Sequence, residues 1–197
     1  GDLFTDRQAI ALSALSDLVV EARSKAKRDA AIAGVADEMK ANDYADAISV
    51  YLYFTIGKLS DLANSLCRWE PVAQCPRNLF GRQAIPMVWD FAEGNPFSSS
   101  TGNFSGALTW VIKSMENFVP RAEGRVSQLE AQDLHGVPPQ AVFSTDPPYY
   151  DNIGYADLSD YFYVWLKRTT EAVYPDLFLT MQTPKASELV ANPYRHG

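Results

Sequence analysis

Apolar residues recur at helical spacing in three stretches of the first 120 residues. Thr5-Asp6-Arg7-Gln8 has the form of a capping box, and Ile10, Leu12, Leu15, Leu18 and Val19 follow at near-helical intervals. The pattern predicts a helix over 6–27. Asn42-Asp43 offers a cap for a second helix, in which Tyr44, Ile48, Tyr51, Leu52, Thr55, Leu59, Leu62 and Leu66 return every three or four residues on one packed face. Its aromatic stripe reads as core rather than as a ligand box. Ser105 caps a third helix through Phe118, carrying Leu108, Val111, Ile112 and Met115, and Pro120 stops it.

Between the second and third helices, Pro71, Pro76, Gly81, Pro86, Gly94, Pro96 and the run Ser98-Ser99-Ser100-Thr101 predict irregular structure over 71–105, with a short helical turn or strand over 87–91. Loops of this length are seldom idle. One reading makes it a lid or nucleic-acid-facing loop with Arg82, Gln83, Asp90 and Glu93 as polar contacts. The other makes it a surface connection pinned to the core by Trp89 and Phe91. Two short strands follow, over 125–129 and 141–145, separated by a loop containing Pro138-Pro139. A last helix begins at Asp157 or Ser159 and turns Leu158, Tyr161, Phe162, Trp165 and Leu166 inward. No internal repeat is present.

The second strand runs into Asp146-Pro147-Pro148-Tyr149, then Tyr150-Asp151-Asn152. An exocyclic amine on a nucleobase is a poor nucleophile, because its lone pair is delocalised into the ring. A site that methylates it must hold the nitrogen close to the methyl donor. Asp146 can accept one N–H and a backbone carbonyl of the Pro147-Pro148 segment the other, drawing the nitrogen toward sp³ geometry. Neither proline has an N–H to compete. The Tyr149 ring can stack on a base rotated out of its duplex. This chemistry needs no metal. Pro-Pro after a strand is also an ordinary turn, and the flanking residues favour the catalytic reading.

Composition suits a folded chain: 197 residues, 47% hydrophobic and 12% aromatic, enough for one sizeable core. No apolar run approaches the roughly 18 residues of a membrane helix and no signal pattern opens the chain, so the expectation is a cytoplasmic protein with no membrane partner. Cys67 and Cys75, with only His135 and His196 available, do not resemble a metal-ligand set and read as reduced thiols. The net charge of −7 predicts weak DNA binding, or none, by this chain alone, because neutralising phosphates drives affinity for duplexes. Arg23, Lys25, Lys27 and Arg28 read as the solvated last turn of the first helix.

Thr145-Asp146-Pro147-Pro148-Tyr149-Tyr150-Asp151-Asn152 and Tyr155-Ala156-Asp157-Leu158-Ser159-Asp160-Tyr161-Phe162-Tyr163-Val164-Trp165-Leu166-Lys167-Arg168 together resemble the large adenine-specific DNA methylases that carry the DUF1156 domain. The resemblance continues through Phe80-Gly81-Arg82-Gln83-Ala84-Ile85-Pro86-Met87-Val88-Trp89-Asp90-Phe91-Ala92-Glu93, Thr183-Pro184-Lys185 and Ala191-Asn192-Pro193-Tyr194-Arg195-His196-Gly197. It covers most of the chain from Asn42 onward. It implies S-adenosylmethionine-dependent methylation of adenine N6 in DNA, in line from the sulfonium, with Asp146, Pro147, Pro148 and Tyr149 catalytic. Tyr150, Asp151, Asn152 and Tyr155 lie where they would reach the bound base. The runs 125–129 and 141–145 then become adjacent parallel strands of a Rossmann-like sheet, where an acid after the earlier strand touches the donor's adenine. Glu130 fits that spacing best and Asp133 second, and each serves equally well as a solvated loop acid.

The expected architecture is helix-dominated α/β: a bundle of about three long helices plus a small parallel β piece. Residues 1–120 form a helical insert or positioning region and 121–197 a partial catalytic region. The glycine-rich donor turn of such enzymes is missing, for no Gly-x-Gly follows an apolar run and Gly94 and Gly102 sit in the irregular loop. With a start at Gly1 and an end at Gly197 directly after a family motif, the chain reads as a piece of a longer protein. Such a piece would hold little of the donor pocket, lack activity alone and tend to self-associate through exposed edges and apolar faces. Two other readings stand: a non-catalytic helical interaction or target-positioning module, and an RNA or cytosine-N4 acceptor, since the same carboxylate and carbonyl suit either amine.

Overall fold

Thr5 and Gln8 close the first helix as their spacing predicts. In the computed structural model of the chain, Thr5 Oγ1 accepts the Gln8 N–H (3.3 Å) and Gln8 Oε1 accepts the Thr5 N–H (2.8 Å). The structure describes residues 3–35, 37–118, 121–122, 124, 126–130, 132, 138, 140–147 and 149–196. Helix α1, Asp6–Ile32, continues past the expected end. Arg23, Lys25, Lys27 and Arg28 therefore lie inside the helix, and most of them are paired. Arg23 meets Asp46 and Lys27 meets Glu38, which ties α1 to the next helix, while Lys25 meets Asp29 one turn on.

Helix α2, Glu38–Ser60, starts before Asn42-Asp43 because Asp37 accepts the Lys40 N–H at 2.7 Å. Its buried face runs through Ala41, Ala45, Ser49, Tyr53, Ile56 and Leu59. Small residues let α1 pack closely there, and Tyr44 and Phe54 are left exposed, so the aromatic stripe is only partly core. The helix stops at Ser60 rather than Leu66. Ser60 Oγ donates to the Gly57 carbonyl, and Asn64 Nδ2 to the carbonyls of Ser60 and Asp61, so side chains compete for the groups that would continue the helix.

Helix α3, Phe104–Asn117, is capped by Asn103, whose Oδ1 accepts the Gly106 N–H (2.6 Å), two residues before the expected Ser105. Pro120 lies outside the described residues. Helix α4, Tyr155–Thr170, begins two residues ahead of Asp157. The core joins Leu12, Leu15 and Val19 of α1, Tyr53, Ile56 and Leu59 of α2, Ala63, Ala107 of α3 and Trp165 of α4. Phe4 stacks on Tyr161 at 5.5 Å between ring centroids and meets Trp165 edge-on at 5.4 Å. Cys67 is fully buried, and burial pushes its thiol up to about 11, while Cys75 is half-buried. Both are free thiols.

The expected parallel sheet is corrected by the structure. The sheet found among the described residues is a two-stranded antiparallel ladder, β1 Trp69–Glu70 with β2 Cys75–Pro76, Trp69 opposite Pro76. Residues 126–129 and 141–145 form no ladder, and Arg125 lies outside the described residues. A buried parallel strand needs hydrogen-bonded neighbours and covered faces. Here Val126 is 99% and Val142 94% exposed, and the Ala141 N–H turns to the Pro138 carbonyl (3.0 Å). These runs are irregular and mostly exposed chain, so the helix-dominated α/β class gives way to a helical fold with one small hairpin and no Rossmann-like sheet among the described residues.

From β2 to α3 the chain is irregular, without the helical turn or strand expected over 87–91. Trp89, 95% exposed, does not pin it. Backbone and polar bonds hold it instead. The Ala92 N–H donates to the Cys67 carbonyl (2.7 Å), the Phe80 N–H to Asp61 Oδ1 (2.9 Å), and Glu93 pairs with Arg7 (2.8 Å). Among the described residues no helix is long and apolar enough to cross a membrane.

Candidate functional site

Asp146 and Pro147 lie on the irregular surface segment, both exposed, and Tyr149 is 73% exposed. Among the described residues no hydrogen bond reaches the Asp146 carboxylate. Pro148 lies outside the described residues, as do Asp133 and His135. A turn follows at once. The Asn152 N–H donates to the Tyr149 carbonyl (3.0 Å), with Tyr150 in the left-handed region at φ 54°. A bulky residue is uncommon there. The turn aims the Tyr150 carbonyl at the Ala191 N–H (3.0 Å), which anchors the end of the motif to the chain's last segment.

That last segment also builds the start of α4. Gly154 supplies no side-chain cap, and the Ala156 N–H donates to Glu188 Oε1 (2.7 Å) instead. Arg195 bridges Glu188 Oε2 (3.0 Å) and Asp157. One turn on, Asp160 Oδ1 accepts the Thr183 N–H (2.9 Å), and Lys185 pairs with Oδ2. Burial raises the Asp160 carboxyl, but hydrogen bonds from Lys185 and Thr183 outweigh it and hold the group below the usual carboxylate range. Negative charge at a helix N-terminus is favoured by the macrodipole. A short 3₁₀ helix, Pro175–Phe178, and a final turn, α5 Pro193–His196, lead the chain back across α4.

Beside this network lies an open concavity of about 520 Å³. Phe80, Leu158 and Phe162 give it apolar walls, and Arg82, Gln83, Tyr155 and Ser159 add polar groups. Phe80 is fixed by its packing on Tyr161 (5.2 Å) and Phe162 (5.1 Å) and by the Asp61 carboxylate that accepts its N–H. The side chains of Arg82 and Gln83 are exposed and make no hydrogen bond among the described residues. Aromatic walls with free guanidinium and amide donors suit a flat, acceptor-rich ring and its phosphate.

The structure thus brings together Tyr155 and the loop residues Arg82 and Gln83. It leaves Asp146, Tyr149, Tyr150, Asp151 and Asn152 exposed outside the concavity. Glu93 is taken up by Arg7, and the Asp90 carboxylate accepts the Phe91 N–H. Glu130 ends no strand, and its carboxylate receives Gln132 Nε2 (2.9 Å) and Ser187 Oγ (3.3 Å). Sequence reasoning missed Glu188, Asp160 and Phe80 as organisers. Their partners lie 19 to 32 residues away, beyond any local spacing rule. Among the described residues no cluster of His, Cys, Asp and Glu could hold a metal ion. No family model, curated protein or solved structure matches the chain.

Proposed function

We propose that the chain is the target-side part of an S-adenosylmethionine-dependent DNA adenine-N6 methyltransferase of the DUF1156 kind, acting in the cytoplasm. The observation that carries this reading is the concavity in which Tyr155 meets Arg82 and Gln83. All three residues belong to segments that resemble that family, and a flat base with its phosphate suits them. In this reading the Asp146 carboxylate and the Pro147 carbonyl accept the two N–H groups of the target amine, and Tyr149 stacks on its ring. The exposure of Asp146 and Tyr149 is compatible with a base delivered from outside the fold.

The acidic chain leaves most phosphate neutralisation, and the methyl donor's pocket, to other parts of the enzyme. The packing of α4 with α1 and α2 in one core supports a second reading, a helical target-positioning module. The two separate on Asp146→Ala in the complete methyltransferase. The first expects loss of adenine methylation with unchanged folding and DNA binding. Methylation retained by that variant would leave only the positioning role.

A further inference from the structure

Helix α2 has a second apolar stripe, on the side turned away from the core. Tyr44, Ala47, Tyr51, Phe54 and Lys58 follow one another at steps of three and four residues, so they share one line about 21 Å long. The buried face, through Ala41, Ala45, Ser49, Ile56 and Leu59, points the other way. Tyr44 is 55% and Phe54 51% exposed, Ala47 and Lys58 are exposed, and half-buried Tyr51 meets Phe54 at 6.3 Å between ring centroids. Single exposed apolar residues are ordinary, whereas a contiguous row of them marks an interaction surface.

The two ends of the stripe carry opposite charge. At one end the Lys58 ammonium lies 5.4 Å from the centroid of the Trp110 ring on α3, and the Lys113 ammonium lies 5.9 Å from the same centroid. Trp110 is 63% exposed and lengthens the apolar row there. Neither ammonium is in an ion pair among the described residues, and with Glu116 one turn past Lys113 this end keeps a net positive charge. At the other end Asp43 is exposed and, among the described residues, unpaired, while Lys40 beside it is already neutralised by Asp37 at 3.8 Å.

We propose that this stripe is the interface of a two-fold symmetric dimer, in which α2 of a second copy lies antiparallel across it and Asp43 of each copy faces Lys58 of the other. With Tyr51 at the axis, Tyr44 falls opposite Lys58, and Phe54 falls beside Ala47, whose small side chain leaves room for the ring. A parallel pairing would set like charges together at both ends, which opposes association. A two-fold axis repeats each contact, so one unpaired acid and one unpaired base per chain are enough to match both ends. A polyanion such as nucleic acid is repelled by the net charge of −7 and by the Asp43 end, and a peptide of one sign leaves one end unmatched. None of these residues lines the Tyr155 concavity, and the inference does not rest on methyl transfer.

The test is sedimentation velocity over a concentration series at low salt. The native chain should dimerise with a dissociation constant of roughly 1–100 μM, the range of a small interface. Asp43→Lys and Lys58→Glu, each alone, set like charges at both ends and should weaken the dimer roughly tenfold, since the two-fold axis doubles each change. Mixed in equal amounts, the two variants should form a heterodimer at close to the native affinity, because one chain is then positive at both ends and the other negative at both. Ala47→Arg, at an exposed position of the stripe, should abolish dimerisation with helicity unchanged, and Arg82→Ala, in the concavity, should leave it as it is. A chain monomeric up to about 1 mM, a dimer indifferent to either charge reversal or to Ala47→Arg, a mixture that associates no more tightly than its separate parts, or a dimer lost on Arg82→Ala would each overturn the proposal.

Discussion

Tyr161 Oη on α4 donates a 2.6 Å hydrogen bond to the carbonyl of Ser60, the last residue of α2 and 101 positions away. Phe4, Phe80 and Phe162 surround the phenol ring, and burial pushes its ionisation upward. The Ser60 carbonyl also accepts from Asn64 at 3.0 Å, so removing the hydroxyl strands no acceptor. Tyr161→Phe should therefore cost about 1 kcal/mol, one net hydrogen bond. Tyr161→Ala should cost about 3–5 kcal/mol, because the ring cluster loses its centre. Urea unfolding of both variants measures the difference, and comparable losses would show that the hydrogen bond, not the packing, holds α4 in place.

Glu188 caps α4 from a distance of 32 residues. Glu188→Ala leaves the Ala156 N–H and one arm of Arg195 without their acceptor, and should destabilise by about 2 kcal/mol. Glu188→Gln retains a carbonyl oxygen for Ala156 and should lose less. Amide hydrogen exchange at Ala156 should quicken in the alanine variant and stay slow in the glutamine one.

Acid should loosen the last segment from α4. The Asp160 carboxyl is depressed in the folded chain, so its contribution is complete above the unfolded value of about 4 and is lost as pH falls through the folded one. Asp17 beside Arg168 and Glu93 beside Arg7 are depressed too and share this sign. A stability series between about pH 2 and pH 6 should slope upward, more shallowly in Asp160→Asn. An unchanged slope in that variant would place the acid sensitivity elsewhere.

Tyr150 holds a left-handed conformation at φ 54° while its side chain is exposed. Glycine adopts this backbone without the Cβ penalty, so Tyr150→Gly should preserve the turn and raise stability by about 1 kcal/mol. Tyr150→Val, branched at Cβ, should lower it. Thermal melts of the pair decide the point: a destabilised glycine variant would mean that the ring makes a compensating contact.

Legibility followed the range of the forces involved. The Thr5–Gln8 box and the inward face of α4 could be read because their partners sit within four residues of each other. The start of α2 was misplaced, since Asp37, Asn42 and Asp43 are all competent caps and packing against α1 selects the first. The runs around Val126 and Val142 carry strand-forming residues, but propensity does not say whether a neighbour exists to complete a ladder. Of the candidate site, Asp146 and Tyr155 were visible as motif residues. The concavity was not, because it needs Phe80 and Phe162, 82 positions apart in the chain, to meet at 5.1 Å.

The buried Cys67 thiol makes the chain its own clock for core opening. Alkylating reagents attack thiolates, and a group with no exposed surface and a raised ionisation point reacts only in molecules in which the packing around it has opened. Half-exposed Cys75, on the hairpin a few residues away, supplies the internal reference. The ratio of the two labelling rates, followed by mass spectrometry, reports how often the packing around Cys67 breathes, and a ligand that tightens it should slow Cys67 while leaving Cys75 untouched.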